Sequence, residues 1–582
     1  MDNSLVARIF EQMGTILDIQ GADGFKVRAY ETAGRAIRGL TEPLARLEAE
    51  GRLDEIPGIG KSIAEKIRVL LSTGDLPAYR EIVASVPPGI VRFLEIEGLG
   101  PKKVRRLWEE LGLETVEALK QACQDGRVAA LAGFGAKSQE KILKGIEFLD
   151  RNAGAILLGE ALPVAKALLA GLRACPAVRR ASLAGSIRRG KEVIGDIDLV
   201  ASSDDPEAVM DAFVALPGVE ETIARGPTKT SVHLEGGFQS DLRVVTDDQF
   251  TACLLYFTGS KEHNVALRAL AQTRGYKINE YGVFAEGSDR PESISDEAAF
   301  FRFFGLDWVP PELRENRGEV DAAARGALPE LLDPGAIRGI LHCHSTWSDG
   351  KASIEQMALA ARARGWEYLG ISDHSKSAFY AGGLDERRLA EQASEIDALN
   401  ERLEGIRLLK GSEVDILDDG SLDFDDEVLA GLDFVVASVH SKFKMSEEAM
   451  TDRIVRAVRH PLVTCLGHPT GRLLLSREPY AVDLGRVVEA AAASGCWLEI
   501  NGNPRRLDLD AIWARRAAEA GVPILIGPDA HSVAGLDDTE YGVLTARRAW
   551  LGAEGVMNTR SLDELLEAIA RRRNPAARGK RS

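Results

Sequence analysis

The chain has 582 residues, of which 45% are hydrophobic and 28% charged, so it is long enough for several domains of ordinary globular composition. A formal net charge of −17 argues against a general, purely electrostatic binder of nucleic acids. The six cysteines show no paired spacing, and no apolar run reaches the ~18 residues of a membrane span. With no secretory segment at its start, the sequence predicts a protein of the reducing cytoplasm.

The first 150 residues are typical of helices separated by short glycine-centred breaks, and they contain an internal repeat at 56–67, 96–107 and 131–142. In each copy two glycines two residues apart permit a tight turn, and the following helix presents free N–H groups at its positive end. This arrangement binds a backbone phosphate without reading sequence, and it resembles the helix-hairpin-helix motif of DNA-repair proteins. An ordinary helix–turn–helix is the alternative. The glycines expected to contact DNA are Gly58, Gly60, Gly98, Gly100, Gly133 and Gly135.

From about residue 178 the sequence changes to short alternating runs typical of strands, and one run carries two aspartates. Asp196 and Asp198 are two residues apart, so on a strand they project from one face and can hold a pair of cations. Asp241, in another strand-like run, supplies the third carboxylate of a two-metal site suited to Mg²⁺ or Mn²⁺. The upstream donors that can bind a triphosphate are Gly185, Ser186 and Arg189.

This constellation resembles the polymerase β-like, or family X, nucleotidyltransferases. The resemblance implies that Asp196 and Asp198 bind both metals, and that Asp241 binds the catalytic metal and polarises the primer hydroxyl. One departure is Ile194, which stands where a hydroxyl residue often helps to hold the triphosphate, so nucleotide affinity is expected to be lower. The resemblance continues through YFTGS at 256–260 and implies contacts with the incoming nucleotide or the minor groove for Gly195, Tyr256, Phe257, Gly259, Asn264 and Arg268.

The first hairpin also aligns with the 5′-deoxyribose-phosphate lyase domain of that family. The resemblance places Lys66 at the position of the Schiff-base lysine, with Lys26 and Tyr30 at neighbouring pocket positions. A lysine nucleophile needs burial or nearby cations to lose its proton. A surface lysine that faces phosphate is the alternative for Lys66.

Prolines, glycines and charges mix at 316–335, which predicts a linker, and after it short apolar strands alternate with amphipathic helices. Of seven strand-like runs in this region, six end in histidines or carboxylates. In a βα barrel the strand ends converge on one mouth, so these side chains should form one cluster for several Zn²⁺, Mn²⁺ or Fe²⁺ ions. They are His342, His344, Asp349, His374, Glu413, His440, His468, Asp529 and His531.

The arrangement resembles the PHP (polymerase and histidinol phosphatase) domain, a distorted seven-stranded barrel with three metals. Asp349 stands where some members have histidine, which favours harder ions. Arg472 follows His468 and is either a clamp for a substrate phosphate or a cation at a helix start. The resemblance implies one metal at His342, His344, Glu413 and Asp529, a second at Asp349, His374 and His531, and a third at Glu413, His440 and His468.

These patterns predict a multidomain α+β and α/β protein with helical helix-hairpin-helix domains, a polymerase β-like nucleotidyltransferase palm and a C-terminal distorted (β/α)7 PHP barrel. The expected parts are a lyase-like helix-hairpin-helix domain at 1–80, a second such subdomain at 81–150, the palm at 151–245, a nucleotide-selection subdomain at 246–315, the linker at 316–335, the PHP domain at 336–572 and a basic tail at 573–582.

The resemblance implies a template-directed DNA polymerase that fills short gaps in DNA repair from deoxynucleoside triphosphates. It further implies a metal-dependent 3′–5′ exonuclease in the PHP domain, with AP endonuclease and lyase activities as additional expectations. Gapped or nicked DNA is the expected substrate, and a monomer is the expected state. Three alternatives remain: a structural PHP domain without nuclease activity, a non-enzymatic scaffold for DNA ends, and a barrel that hydrolyses small phosphate esters.

Overall fold

The computed structural model describes residues 3–38, 40, 43–96, 98–151 and 154–574. The chain divides into two compact units, one of residues 1–153 with 475–477 and the other of 154–474 with 478–582. No helix in the described ranges is both long and apolar enough to cross a membrane. Apart from its first two residues, the predicted basic tail at 573–582 lies outside the described residues.

The first unit is helical in its described residues, and its apolar side chains gather in two clusters. One contains Phe10, Met13 and Ile37, and the other contains Phe93 and Leu107. Short 3-10 turns cover Leu53–Glu55 and Arg92–Glu95. The helices are α1 (Asn3–Ile19), α2 (Gly24–Arg38), α3 (Leu44–Ala49), α4 (Lys61–Thr73), α5 (Pro77–Ala84), α6 (Pro88–Val91), α7 (Pro101–Leu111), α8 (Val116–Gln124), α9 (Arg127–Ala130) and α10 (Gly135–Arg151).

The second unit begins with a palm of five strands in the order β2-β4-β7-β6-β5. Strand β4 runs parallel to β7, and the other pairs in this sheet are antiparallel. A separate short pair joins β1 to β3. The elements are β1 (Ile156–Leu157), α11 (Leu158–Ala174), β2 (Arg180–Leu183), α12 (Gly185–Arg188), β3 (Val193–Ile194), β4 (Ile197–Ser202), α13 (Pro206–Val214), β5 (Val219–Arg225), β6 (Lys229–Leu234) and β7 (Phe238–Val245).

Helices and one hairpin follow the palm, and the segment 316–335, predicted as a linker, is folded with them. Helix α17 lies in that segment, and its Glu319 is fully buried. Glu319 accepts the backbone N–H groups of Asn316 and Arg317 and pairs with buried His263 at 2.5 Å, so these contacts fix the segment. The elements are α14 (Phe250–Thr258), α15 (Lys261–Thr273), β8 (Tyr276–Asn279), β9 (Gly282–Ala285), α16 (Glu297–Phe303), a 3-10 turn (Pro311–Leu313) and α17 (Glu319–Ala324).

The rest of the unit is a barrel of seven parallel strands in sequential order, as the sequence predicts. Most of its helices begin at polar caps, because side chains that include those of Ser353, Asp385, Ser446, Asp483 and Asp510 accept the first free N–H groups. The strands are β10 (Gly339–Ile340), β11 (Tyr368–Ile371), β12 (Arg407–Asp415), β13 (Phe434–Ser438), β14 (Cys465–Leu466), β15 (Trp497–Asn501) and β16 (Ile524–Gly527). The helices are α18 (Ile354–Ala363), α19 (Glu386–Arg402), α20 (Asp426–Ala430), α21 (Glu447–Arg459), α22 (Leu484–Ser494), α23 (Ala511–Glu519), α24 (Thr539–Arg548) and α25 (Leu562–Arg573).

The first and last barrel strands meet through a side chain and a short bridge. Buried Asn558 donates to the carbonyls of Gly339 on β10 and Ile526 on β16, and its own carbonyl accepts the N–H of Ile526. Towards the C-terminal ends of the strands, Cys343 and Ala530 form a parallel bridge. The barrel is therefore nearly closed, and the predicted fold class is confirmed.

Candidate metal centres

The palm brings its three predicted aspartates together. Asp198 on β4 lies directly opposite Asp241 on the parallel strand β7, and Asp196 immediately precedes β4. One carboxylate oxygen from each lies within 4.8 Å of the others. Gly185 has a φ of 60°, and a Cβ there would lie 2.0 Å from Asp198 Oδ2, so only glycine fits beside this carboxylate. The three oxygens can therefore serve hard divalent cations.

Burial and mutual repulsion change the acidity of this triad. Burial, followed by the charges of Asp196 and Asp241, raises the pKa of Asp198 to about 7. Burial and Asp241 also raise the pKa of Asp196. At Asp241 burial acts in the same direction, but hydrogen bonds led by Lys229, whose Nζ lies 2.5 Å from Oδ2, outweigh it and lower the pKa. The triad is thus short of positive charge, which a bound cation would supply.

The predicted triphosphate-binding loop contacts the turn at 256–260, which is predicted to lie by the incoming nucleotide. Arg189 is buried, and it donates to Glu315 Oε1 at 2.7 Å and to the carbonyl of Thr258 at 2.8 Å. Its neighbour Arg188 donates to the Thr258 hydroxyl at 2.7 Å. Arg189 therefore already has protein partners, and a triphosphate would have to share it with Glu315.

The remaining predicted nucleotide contacts surround the same turn. Asn264 donates to the carbonyls of Tyr256 at 2.7 Å and Gly259 at 3.3 Å, so in this state its amide braces the turn. Arg268 is exposed one helical turn further along α15, and Phe257 lies under the guanidinium of Arg243. Ser186 is part-buried, Gly195 is exposed and Ile194 packs in the palm core.

The three glycine turns of the first unit share one pattern, in which a buried hydrophobe separates two exposed glycines. Gly58 and Gly98 have φ of 90° and 88°, and no described side chain caps the helix that follows either turn. Gly135 has φ of 69° and itself begins α10, so the third turn has a different backbone. The turns are Gly58–Ile59–Gly60, Gly98–Leu99–Gly100 and Gly133–Phe134–Gly135.

The predicted lyase residues lie on α2 and α4. Lys66 Nζ donates to the Ser62 hydroxyl at 2.9 Å and lies 6.0 Å from the centre of the Tyr30 ring. Tyr30 is buried, whereas Lys26 is exposed one turn earlier on the same helix. The structure thus brings Lys66 beside Tyr30.

The barrel gathers all nine predicted side chains at one mouth. Four overlapping groups offer ligand atoms within 4.8 Å of one another. Two of these groups correspond to the first two predicted sites. The group of the second site also contains His344, and Glu413 lies next to the group of the first site, with its Oε1 3.4 Å from His342 Nε2. The third predicted set is divided, because Glu413 meets His440 in one group and His468 in another. The groups are His342–His344–Asp529, His344–Asp349–His374–His531, His374–Glu413–His440 and His342–Glu413–His468.

Unpartnered buried atoms show that this cluster fits metal ions. The ring atoms Nε2 of His342, both nitrogens of His344 and Nδ1 of His374 are buried without a hydrogen-bond partner among the described residues, as is Glu413 Oε2. Buried polar atoms normally find partners, so orphaned lone pairs that converge on shared points indicate coordination. The cluster is exposed to solvent at Asp349 and partly at His531, which gives it an open side.

Charge in the cluster is also arranged for cations. Burial would lower the pKa of His440, but the carboxylates of Glu413 and Asp415 raise it to about 10. Burial likewise opposes ionisation of Glu413, yet the surrounding imidazoles lower its pKa well below the usual range. Protons on these imidazoles neutralise the same carboxylates that bound metal ions would neutralise.

Several important residues were not singled out by the sequence. Fully buried Glu499 accepts from His342 Nδ1 at 2.5 Å and from the His468 backbone at 2.6 Å, so it orients two candidate ligands. Asp415 holds His440 Nδ1 at 3.1 Å in the same way. Both residues lie on strands that the sequence already indicated. The available signals were that Asp415 lies two residues after Glu413 and that Glu499 belongs to the run WLEIN at 497–501.

Arg472, the suggested phosphate clamp, does not face the cluster. Its guanidinium donates to the backbone carbonyls of Arg506 and Leu507, and it pairs with Glu192 Oε1 at 3.0 Å. Arg506 instead lies at the cluster, 3.4 Å from Asp529 Oδ2. The two centres together define an enzyme with separate metal-dependent sites for phosphoryl-transfer chemistry.

Comparisons with known proteins identify the family. The chain matches the models described as helix-hairpin-helix domain (residues 1–76), SAM-like helix-hairpin-helix tandem (90–147), DNA polymerase beta thumb (253–315) and PHP domain (341–502). It is 39% identical to the Bacillus subtilis DNA polymerase/3′-5′ exonuclease PolX, over 97% of this chain and 99% of that one. A probable phosphatase of Caldanaerobacter subterraneus is 29% identical over 42% of this chain and 97% of its own length. DNA polymerase lambda of Rattus norvegicus is 25% identical over 54% of this chain and 56% of its own length.

The chain therefore belongs to the family X DNA polymerases that carry a C-terminal PHP domain. The predictions of the family and of a DNA polymerase are confirmed, and a dependence on divalent metal ions follows from both acidic clusters.

Proposed function

We propose that the chain is a template-directed polymerase that fills short gaps in DNA, and that its barrel is a metal-dependent 3′–5′ exonuclease. One observation carries the proposal: a single folded unit contains the carboxylate triad of the palm and a second, histidine-rich cluster with orphaned ligand atoms. Divalent ions in these clusters would activate a hydroxyl or a water and neutralise charge that develops on phosphorus. Gapped or nicked DNA with deoxynucleoside triphosphates is the substrate, and the monomer in the cytoplasm is the acting form.

The chain's own residues hold the reactants of polymerisation. Asp196, Asp198 and Asp241 hold Mg²⁺ or Mn²⁺, and Asp241 lies next to the primer 3′-hydroxyl and accepts its hydrogen bond. Ser186 and the loop that ends at Gly195 contact the triphosphate together with Arg189. Asn264 and Arg268 present donors at the minor groove, where acceptors are nearly equivalent for every correct base pair.

The barrel residues bind the metal ions and the strand end for the second reaction. Nine ligands in four overlapping groups accommodate three ions, which are Zn²⁺, Mn²⁺ or Fe²⁺ by their imidazole and carboxylate donors. Glu499 and Asp415 keep the coordinating imidazoles in one tautomer and orientation. Arg506 stands beside Asp529, where it is suited to hold the phosphate of a strand end. Cleavage of abasic sites uses the same cluster.

The first unit grips the DNA and offers a third activity. The exposed turns at Gly58, Gly98 and Gly133 contact backbone phosphates, and the first two bring uncapped helix starts to them, so binding is independent of sequence. Lys66, beside Tyr30, is the nucleophile of a 5′-deoxyribose-phosphate lyase.

Separate substitutions in the two clusters test the assignment on a one-nucleotide-gapped duplex with Mn²⁺. Asp241→Ala should lower gap filling by about 100-fold or more and leave primer degradation intact, because a metal's charge stabilisation is worth several kcal/mol at ~1.4 kcal/mol per tenfold. His440→Ala should lower primer degradation and leave gap filling intact. Asp247→Asn in the palm and His460→Ala on the barrel surface are the matched controls, because neither belongs to a cluster. Degradation that survives His440→Ala and Glu413→Gln would leave the barrel as a structural module.

A further inference from the structure

Two neighbouring aromatic rings project from the rim of the barrel cluster. Phe379 is 84% exposed and Tyr380 is 65% exposed, although large hydrophobic side chains are usually buried. Their centroids are 5.9 Å apart, with the planes at 79°. Adjacent exposed apolar rings of this kind commonly mark a binding surface.

The loop that carries the rings is rigid and starts at the metal cluster. The loop leaves the strand end at His374, and its other end comes back to the same residue, because the N–H of Leu384 donates to the carbonyl of His374 at 2.8 Å. Asp423 accepts from the N–H of Ser377 at 2.7 Å and from its hydroxyl at 2.6 Å, which anchors one side. Arg388 donates to the carbonyl of Gly382 at 2.8 Å and anchors the other.

Burial alternates sharply within this loop. Ala378 is 1% exposed and Ala381 is 5% exposed, so the two alanines are buried while the two rings between them are exposed to solvent. A flexible loop would be free to bury its aromatic residues, whereas this one is held in a conformation that presents them. The exposure is thus a fixed property of the folded loop.

The loop of the two rings begins at His374, a candidate ligand of the cluster, so Tyr380 lies near the cluster's charges. Burial of its hydroxyl, followed by the charges of Asp415, Glu413 and Asp349, raises the pKa of Tyr380 to about 12. Tyr380 thus lies within the field of the acidic cluster while 65% of its surface stays exposed. A strand whose terminal phosphate reaches the cluster would bring its bases to these rings.

We propose that Phe379 and Tyr380 form a stacking platform for the terminal bases of a single-stranded DNA 3′ end. The proposal rests on the phosphodiester chemistry proposed for the barrel. Every base has a π-face, so aromatic stacking binds strand ends without sequence preference. Net acidic clusters repel a DNA backbone, and stacking supplies affinity that does not depend on charge. The platform distinguishes a nucleic-acid end, which has bases, from a small phosphate ester.

Fluorescence of a terminal 2-aminopurine tests stacking without hydrolysis. The probe is a single-stranded oligonucleotide with 2-aminopurine at its 3′ end and phosphorothioate linkages that resist cleavage, added to the full-length protein. We expect the wild type to quench the probe, and Phe379→Ala with Tyr380→Ala to lose that quenching and weaken binding by about tenfold or more. Phe379→Trp with Tyr380→Phe should retain both signals. Ile512→Ala, at another exposed apolar position on barrel helix α23, should behave as the wild type.

A second readout separates this proposal from the proposed function. Hydrolysis of a normal 3′ end should show a KM raised about tenfold in the double alanine variant with kcat little changed, whereas the same strand with abasic terminal residues should be cleaved equally by both proteins. Gap filling should be unaffected and reports that the variant is folded. Equal quenching and equal KM in the wild type and the double variant would overturn the platform even if degradation persists. Ring-dependent quenching in a protein that degrades no DNA would support the platform and refute the nuclease.

Discussion

One aspartate of the palm triad, Asp198, should make the metal-free protein less stable. Burial and two neighbouring aspartates raise the pKa of Asp198 from 3.8 to about 7. The folded state therefore keeps this proton over a pH range in which the unfolded chain has lost it. Stability contributed by the group falls as pH rises from about 4 to about 7, and the full penalty is present above pH 7.

A shift of about three pKa units corresponds to about 4 kcal/mol at about 1.4 kcal/mol per unit. Because the carboxylate is only part-buried and asparagine does not reproduce all its contacts, we expect Asp198→Asn to gain about 2 kcal/mol at pH 8 in EDTA. Calorimetry should show the palm-containing transition raised by about 2–4 °C, and the gain should shrink towards pH 5. Added Mg²⁺ should stabilise the wild type and not the variant, while gap filling is lost.

The matched control is Asp204→Asn, which changes an exposed carboxylate that follows the same strand, β4, and pairs with Arg179. Its effect should stay within about 0.5 kcal/mol. If Asp198→Asn melts at or below the wild type at pH 8 in EDTA, repulsion within the triad does not dominate its energetics, and the reasoning fails.

Two further substitutions test the geometry of each centre. Lys229→Ala removes the ammonium next to Asp241 and so makes the triad more negative. The Mg²⁺ concentration for half-maximal gap filling should fall by about fivefold in a titration of primer extension. An unchanged or higher Mg²⁺ requirement would contradict this. Asn558→Ala removes three buried hydrogen bonds between the first and last barrel strands and should destabilise the barrel by about 2–4 kcal/mol in calorimetry. Exposed Asn574→Ala should change stability by less than about 0.5 kcal/mol, and an equally mild Asn558→Ala would mean that the bridge is dispensable.

The barrel cluster was predictable because its signal is both local and repeated. Each ligand follows a short apolar run, and parallel strands bring their C-terminal ends to one mouth. The triad was predictable for a similar reason, since the spacing of two residues between Asp196, just before β4, and Asp198 on β4 predicts that both project from one face. The sequence predicts that Glu413 is shared between two sites, but it does not show that His342, His344 and His374 each join two groups once the strands are curved.

The segment at 316–335 shows a different limit. Its prolines and glycines correctly indicate breaks in regular structure, but they do not reveal that Glu319 finds a buried histidine 56 residues earlier. Such a pairing depends on the packing of α15 against α17, and no local pattern encodes it. Composition thus distinguishes helix from irregular backbone better than it distinguishes a linker from a packed segment.

Arginines were the hardest residues to assign, because a guanidinium binds carboxylates, carbonyls and phosphates with the same fork of donors. Arg189 and Arg472 were both candidates for substrate phosphate, and both have protein partners, Glu315 and Glu192. Glu192 belongs to the loop between the palm glycines and the aspartates, whereas Arg472 lies four residues after a barrel ligand. The Glu192–Arg472 pair is largely buried, so removing one partner would leave an uncompensated charge and should disturb both loops. The loop that precedes the palm aspartates and the segment that follows a barrel ligand are therefore joined by a specific ionic contact within one folded unit.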